Sequence, residues 1–139
     1  MKELFVTELY NSYPSLFSLK EDKNEPIGAY SIECGDGWFD ILSSLCFMIV
    51  QEEQNIEGRN KYLISQNKEP QPYEPFRFTQ IKEKFGGLRV YYNGGNEYTR
   101  GLVGMAESWS YHVCEKCGAK GKPDKKGWIM TLCDNCKKD

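Results

Sequence analysis

The sequence predicts an α+β protein, a small helical and β-hairpin body followed by a cysteine-rich appendage. Three observations predict it. A helical apolar period begins at Trp38, an alternating stretch flanks Gly86-Gly87 as in a β-hairpin, and the C-terminal end carries two Cys-x-x-Cys pairs. At 139 residues, the chain has the length of one domain, or of one domain with a small appendage. Apolar residues at 40%, charged residues at 27% and a net charge of -2 exclude a disordered tail and a membrane protein. The first eight residues mix acids into an apolar run without a cleavage site, so a cytoplasmic location is expected.

The elements follow in chain order. Phe5, Val6, Leu9, Tyr10 and Tyr13 fit a short amphipathic helix over residues 2–13, closed by the Tyr13-Pro14 step. Residues 20–26 read as a polar loop, and residues 29–34 as a short strand. Gly35-Asp36-Gly37 then breaks the chain. Asp36 is placed as N-cap of a helix whose apolar positions, Trp38, Ile41, Leu42, Leu45, Ile49 and Ile56, run to a stop at Gly58. Residues 59–75, ending in three prolines, read as a linking loop with at most a residual helical turn near Tyr62. A hairpin follows, with strands over 76–85 and 88–93 around a Gly86-Gly87 turn. Tyr98, Leu102, Met105, Trp109 and Val113 form one stripe of a last helix over 98–113. The division expected is a body over residues 1–111 and a cysteine module over 112–139.

Cys114 and Cys117, then Cys133 and Cys136, make two Cys-x-x-Cys turns separated by fifteen residues. Each turn delivers two sulfurs from one tight loop, and two turns complete a tetrahedral thiolate shell, the pattern of a zinc ribbon. A redox dithiol and an iron site are the alternatives. Four thiolates leave no open position for water or substrate, so Zn2+ is expected to be structural. Lysines 116, 120, 122, 125 and 126 are either a solvated surface or a contact for a protein or nucleic acid. Cys34 and Cys46 stand outside the pattern.

Charge is unevenly spread. Residues 1–58 carry eleven acids against three lysines, whereas residues 59–92 carry seven Lys/Arg against three acids. With the hairpin centred on Gly86-Gly87, Lys84 faces Arg89 and Lys82 faces Tyr91, and Phe78, Gln80, Lys82, Lys84, Arg89 and Tyr91 share one face. Like charges directly across a strand pair repel. Three things relieve them: water, a carboxylate such as Asp36, Asp40, Glu52 or Glu53, or an anionic ligand. Cations beside aromatic faces suit a flat anion, a nucleotide or a short single strand. Trp38 is either core or a stacking platform for such a ligand. Two weaker constellations belong to enzymes: the carboxylates Glu33, Asp36 and Asp40 for a small hydrolase, and Cys34 with His112 as nucleophile and base.

Glu33-Cys34-Gly35-Asp36-Gly37-Trp38-Phe39, the run from Ile81 through Lys84-Phe85-Gly86-Gly87-Leu88-Arg89 to Tyr91, and Met105-Ala106-Glu107-Ser108 before the cysteine pairs together resemble a family of small zinc-ribbon proteins. Its members are mostly hypothetical proteins of bacteriophages and of bacterial genomes carrying phage-like regions. The resemblance spans about residues 30–139. It implies a phage setting, in which small non-enzymatic proteins act as inhibitors or sequester host signalling nucleotides. Some relatives replace the last cysteine with histidine, whereas Cys136 keeps the four-cysteine form here. The leading expectation is a non-enzymatic binding protein: Lys82, Lys84 and Arg89 hold the phosphates of an anionic nucleotide, while Tyr91 and Trp38 stack on its base. The alternatives are a ribbon that binds a host protein or nucleic acid, and the small hydrolase. No membrane partner is expected, and a homo-oligomer is compatible with the sequence.

Overall fold

A computed structural model describes residues 1–18 and 32–138. The loop expected over residues 20–26 and the first half of the strand expected over 29–34 lie outside them. The fold is α+β, as the sequence predicts. Helix α1 (Glu3–Ser12) buries Leu9, and the turn after it sends Leu16 and Phe17 into the core. The Phe78 N–H donates to the Leu16 carbonyl at 2.9 Å, which ties this turn to the sheet.

The sheet has the order β1-β2-β3, from β1 (Ile32–Glu33), β2 (Glu74–Lys84) and β3 (Gly87–Gly95). β1 runs parallel to β2, and β2 is antiparallel to β3. Strand alternation sorts the three strands into rows. Ile32, Ile81 and Val90 form a buried row, and Glu33, Lys82 and Arg89 form the row beside it on the opposite face. Phe17, Phe78, Phe76 and Tyr92 continue the core as a chain of ring contacts with centroids 4.9, 5.0 and 4.5 Å apart.

The hairpin turn lies one residue earlier than expected, which shifts the cross-strand pairing by two. Lys84 pairs with Gly87 and Lys82 with Arg89, so the turn residues are Phe85 and Gly86, at φ 53° and 81°. Two positive φ values fit the twist of a two-residue hairpin. The like-charged cross-strand pair is therefore Lys82–Arg89 rather than Lys84–Arg89. A bulge between Phe78 and Gln80 reverses the alternation, so Phe78 lies in the core and not among the cations, while Phe85 projects from the turn at 65% exposure.

Two helices cover the sheet and its edge. Helix α2 (Phe39–Ser65) buries Leu42, Leu45, Cys46, Ile49 and Ile56. It passes through Gly58 and does not stop there, because residues 59–65 keep the backbone hydrogen-bonded and no proline intervenes before Pro70. Asp36 does not cap it. A 3-10 turn, Asp36–Trp38, precedes α2, and the Asp36 carboxylate takes the Lys2 N–H at 2.7 Å and the Lys2 ammonium at 3.6 Å.

Helix α3 (Glu97–Ser110) opens with a capping box between Asn96 and Thr99. Its buried face is Thr99, Val103, Ala106 and Ser110, whereas Tyr98, Met105 and Trp109 of the expected stripe are 48, 68 and 54% exposed. α3 also closes the outer edge of β3. The Val90 N–H donates to the Glu107 carboxylate and the Leu88 N–H to the Ser110 hydroxyl, each at 2.9 Å, which protects an edge that would otherwise pair with another chain. Among the described residues no helix is long and apolar enough to cross a membrane.

A Cβ at Gly58 meets nothing within 4 Å. Gly58→Ala is therefore expected to stabilise the protein by about 0.5–1 kcal/mol, the helix-propensity difference. A rise in the thermal midpoint checks it; a fall would mean that α2 ends near Gly58.

Candidate metal centre and the hairpin face

Past α3 the chain reverses at Tyr111 and enters the cysteine module. The first knuckle closes with Gly118 N–H donating to Cys114 O at 2.9 Å, and Gly118 takes φ +83°, a left-handed value that favours glycine. The second is the short helix α4 (Asp134–Lys137), capped by Cys133, whose sulfur accepts the Cys136 N–H at 3.4 Å. Strands β4 (Lys122–Asp124) and β5 (Met130–Leu132) pair antiparallel between the knuckles.

The sulfurs of Cys114, Cys117, Cys133 and Cys136 all lie within 4.8 Å of one another, and Cys117 Sγ is 3.6 Å from Cys133 Sγ. A tetrahedron with sulfur about 2.3 Å from its centre has an edge of about 3.8 Å, so the cluster has the dimensions of a four-thiolate metal site. The local fields differ. Burial raises the Cys114 thiol, but N–H groups of Cys133, Cys117 and Lys116 aimed at its sulfur outweigh burial and bring it down to about 6. The adjacent Cys133 and Cys117 thiols push Cys136 up to about 12.

The module is seated on the body through the Gly35-Asp36-Gly37-Trp38 loop. Gly37 N–H donates to Glu115 O at 2.7 Å, Gly35 N–H to Glu115 Oε1 at 3.0 Å, and the Trp38 indole to Val113 O at 2.9 Å. A Cβ at Gly37 would run into the Cys114 carbonyl oxygen and fall 2.6 Å from Gly118 N, and one at Gly35 would meet the Glu115 backbone. Both glycines are there because backbone packs on backbone. A second seat lies at the hairpin turn, where the Thr131 hydroxyl donates to Gly86 O at 2.6 Å and a Cβ at Gly86 would touch the Ile129 side chain at 3.1 Å.

These contacts reassign several residues. Trp38 is fully buried with its indole N–H spent on the first knuckle, so it is core and offers no stacking face. Arg89 is answered from inside the fold: its guanidinium donates to Tyr111 Oη and to Leu88 O, each at 2.9 Å, and lies 5.9 Å from the Tyr111 ring. Sequence reasoning looked for that answer among the acids and missed Tyr111, which carries no charge. Glu52 and Glu53 turn instead to Arg59 and Asn96, and to the Phe76 N–H. Lys82, Lys84 and Tyr91 remain at the surface, with the Lys82 ammonium 5.7 Å from the Tyr91 ring and the Lys84 ammonium 5.6 Å from the Phe85 ring.

Asp36 is held by Lys2, Asp40 lines the groove between α2 and α3, and Glu33 stands on the outer sheet face beside Lys82. Cys34 is buried and its thiol is pushed up to about 12 by desolvation, while His112 is exposed beside Trp109. Comparison with protein-family models, with curated proteins and with solved structures finds no match to the chain.

Gly37→Ala is expected to cost at least about 2 kcal/mol, because neither backbone at that contact can give way, whereas Asp36→Ala, one position away at a solvent-facing ion pair, should cost under about 1 kcal/mol. Denaturant unfolding of the two variants checks the contrast, and equal losses would contradict it.

Proposed function

We propose that the protein is a non-enzymatic zinc-containing binding protein that holds a single-stranded nucleic acid on one basic and aromatic surface. The zinc ion is structural, since four thiolates close its shell. The observation that carries the reading is the Gly86–Ile129 contact. Phe85 and Trp128, each one residue from that contact, are 65 and 80% exposed, and the exposed lysines 84, 125 and 126 flank them. The lysines supply phosphate contacts, and Phe85, Trp128 and Tyr91 supply stacking faces that accept any base. This joins the two surfaces the sequence had offered separately, the hairpin and the ribbon lysines. It drops Trp38 and Arg89 from the ligand set.

A single nucleotide signal, the ligand implied by the phage resemblance, is the second reading. The observation favouring it is the Lys82 ammonium 5.7 Å from the Tyr91 ring, a cation beside a flat face. A phage role as an inhibitor or sponge rests on the motif resemblance.

Fluorescence anisotropy with a labelled oligo-dT of about 12 nucleotides, competed by mono- and cyclic nucleotides, separates the readings. Salt-dependent strand binding is expected, weakened by roughly tenfold or more in Trp128→Ala and lowered in salt slope by Lys84→Ala with Lys126→Ala. Strand binding that these variants leave unchanged would overturn the surface. Displacement by a mononucleotide, sensitive to Lys82→Ala, would favour the second reading.

A further inference from the structure

We infer that the α2–α3 groove is a self-association surface, which a second copy of this chain covers about a two-fold axis near Met105. The groove holds about 320 Å³ and is lined by Ile41, Leu45, Met48, Leu102, Met105 and Trp109, with Asp40 as its only charged lining residue. Elsewhere on the same two helices Phe47 of α2 and Tyr98 of α3 are 52 and 48% exposed, and Met105 and Trp109 within the groove are 68 and 54% exposed. At about 200 Å² for a large side chain, these four alone present about 400 Å² of apolar surface. A stable dimer buries about 800 Å² per partner, so they supply about half. The half-buried Ile41, Met48 and Leu102 and the open backbone at Gly101 and Gly104 add to it.

Self-complementarity identifies the occupant. A two-fold contact places each residue against its symmetry counterpart, so a protruding side chain needs a hollow at the mirrored position. Trp109 lies four residues after Met105, and Gly101 lies four residues before it. A Cβ built at Gly101 or at Gly104 meets nothing within 4 Å, so the backbone there is open. With α3 packed antiparallel on its copy and Met105 near the axis, each Trp109 ring falls on the Gly101 backbone of the other copy. A partner with a charged face would bury those charges against a groove offering Asp40 alone, whereas this face brings little charge of its own. The surface lies on α2 and α3, apart from the hairpin turn and ribbon tip, and does not rest on the anion-binding reading.

Sedimentation velocity on the zinc-loaded full chain, from about 1 to about 100 μM, tests it. The expected result is a reversible dimer of twice 16.1 kDa. Met105→Glu should leave the monomer at all concentrations, with circular dichroism unchanged because the side chain is exposed. Gly101→Leu, whose Cβ meets nothing within 4 Å in its own chain, should weaken the dimer at least tenfold, and Trp128→Ala should leave it intact. A wild-type protein monomeric throughout would overturn the inference, as would a dimer that survives Met105→Glu or Gly101→Leu.

Discussion

The backbone-on-backbone contact between the Gly35–Trp38 segment and the first cysteine knuckle is the constraint on which the rest of this structure depends. Gly37 N–H reaches the Glu115 carbonyl at 2.7 Å only because Gly37 carries no side chain, whose Cβ would run into the Cys114 carbonyl oxygen. The consequences run in both directions along the chain. On one side, β1 enters the sheet beside β2 and completes the Ile32–Ile81–Val90 row. On the other, Trp38 is driven to full burial against Val113 and α2 begins in the next turn. A metal-sized cluster of four thiols thereby becomes a cornerstone of the body, since its knuckle is part of the wall against which the core closes.

The hairpin obeys the same logic at the second seat. Gly87 is glycine because the Tyr111 ring occupies the space of its Cβ, and that ring also receives the Arg89 guanidinium. Gly86 is glycine for the turn and for Ile129 above it. The residues that make this hairpin conspicuous in the sequence are therefore mostly architectural. They hold a turn of β2–β3 against β5, and the exposed cations and rings lie at the margin of that joint, on Lys84, Phe85, Trp128 and lysines 125 and 126.

How much of this was legible in the sequence follows from how local each signal is. The four cysteines were legible because metal geometry imposes spacing directly on sequence, and α2 was legible from Trp38 to Ile56 because one long apolar stripe faces one core. Its last seven residues were hidden by Gly58, a helix-weakening residue that α2 tolerates in open solvent. The hairpin existed as expected, but a Gly-Gly pair looks more turn-like than Phe-Gly. What placed the turn one residue earlier is Tyr111, twenty-four residues further on, which claims the second glycine. The α3 stripe misled for a related reason: helical periodicity reports which residues share a face, not which face is buried. Thr99 and Ser110 are buried there because their hydroxyls serve the Asn96 cap and the Leu88 N–H. Trp38 and Arg89 looked like ligand residues because their partners are a carbonyl and a phenol contributed from far along the chain.

The most direct test of the knuckle as cornerstone is hydrogen exchange, read residue by residue, on the metal-loaded protein and on the same protein after chelation. With the metal removed, the Gly37 N–H and the Trp38 indole N–H are predicted to lose protection together, because the knuckle segment that accepts from both no longer holds its shape. Unchanged protection at Gly37 and Trp38, with loss of the metal verified by mass, would show that the body closes without it and would contradict the account.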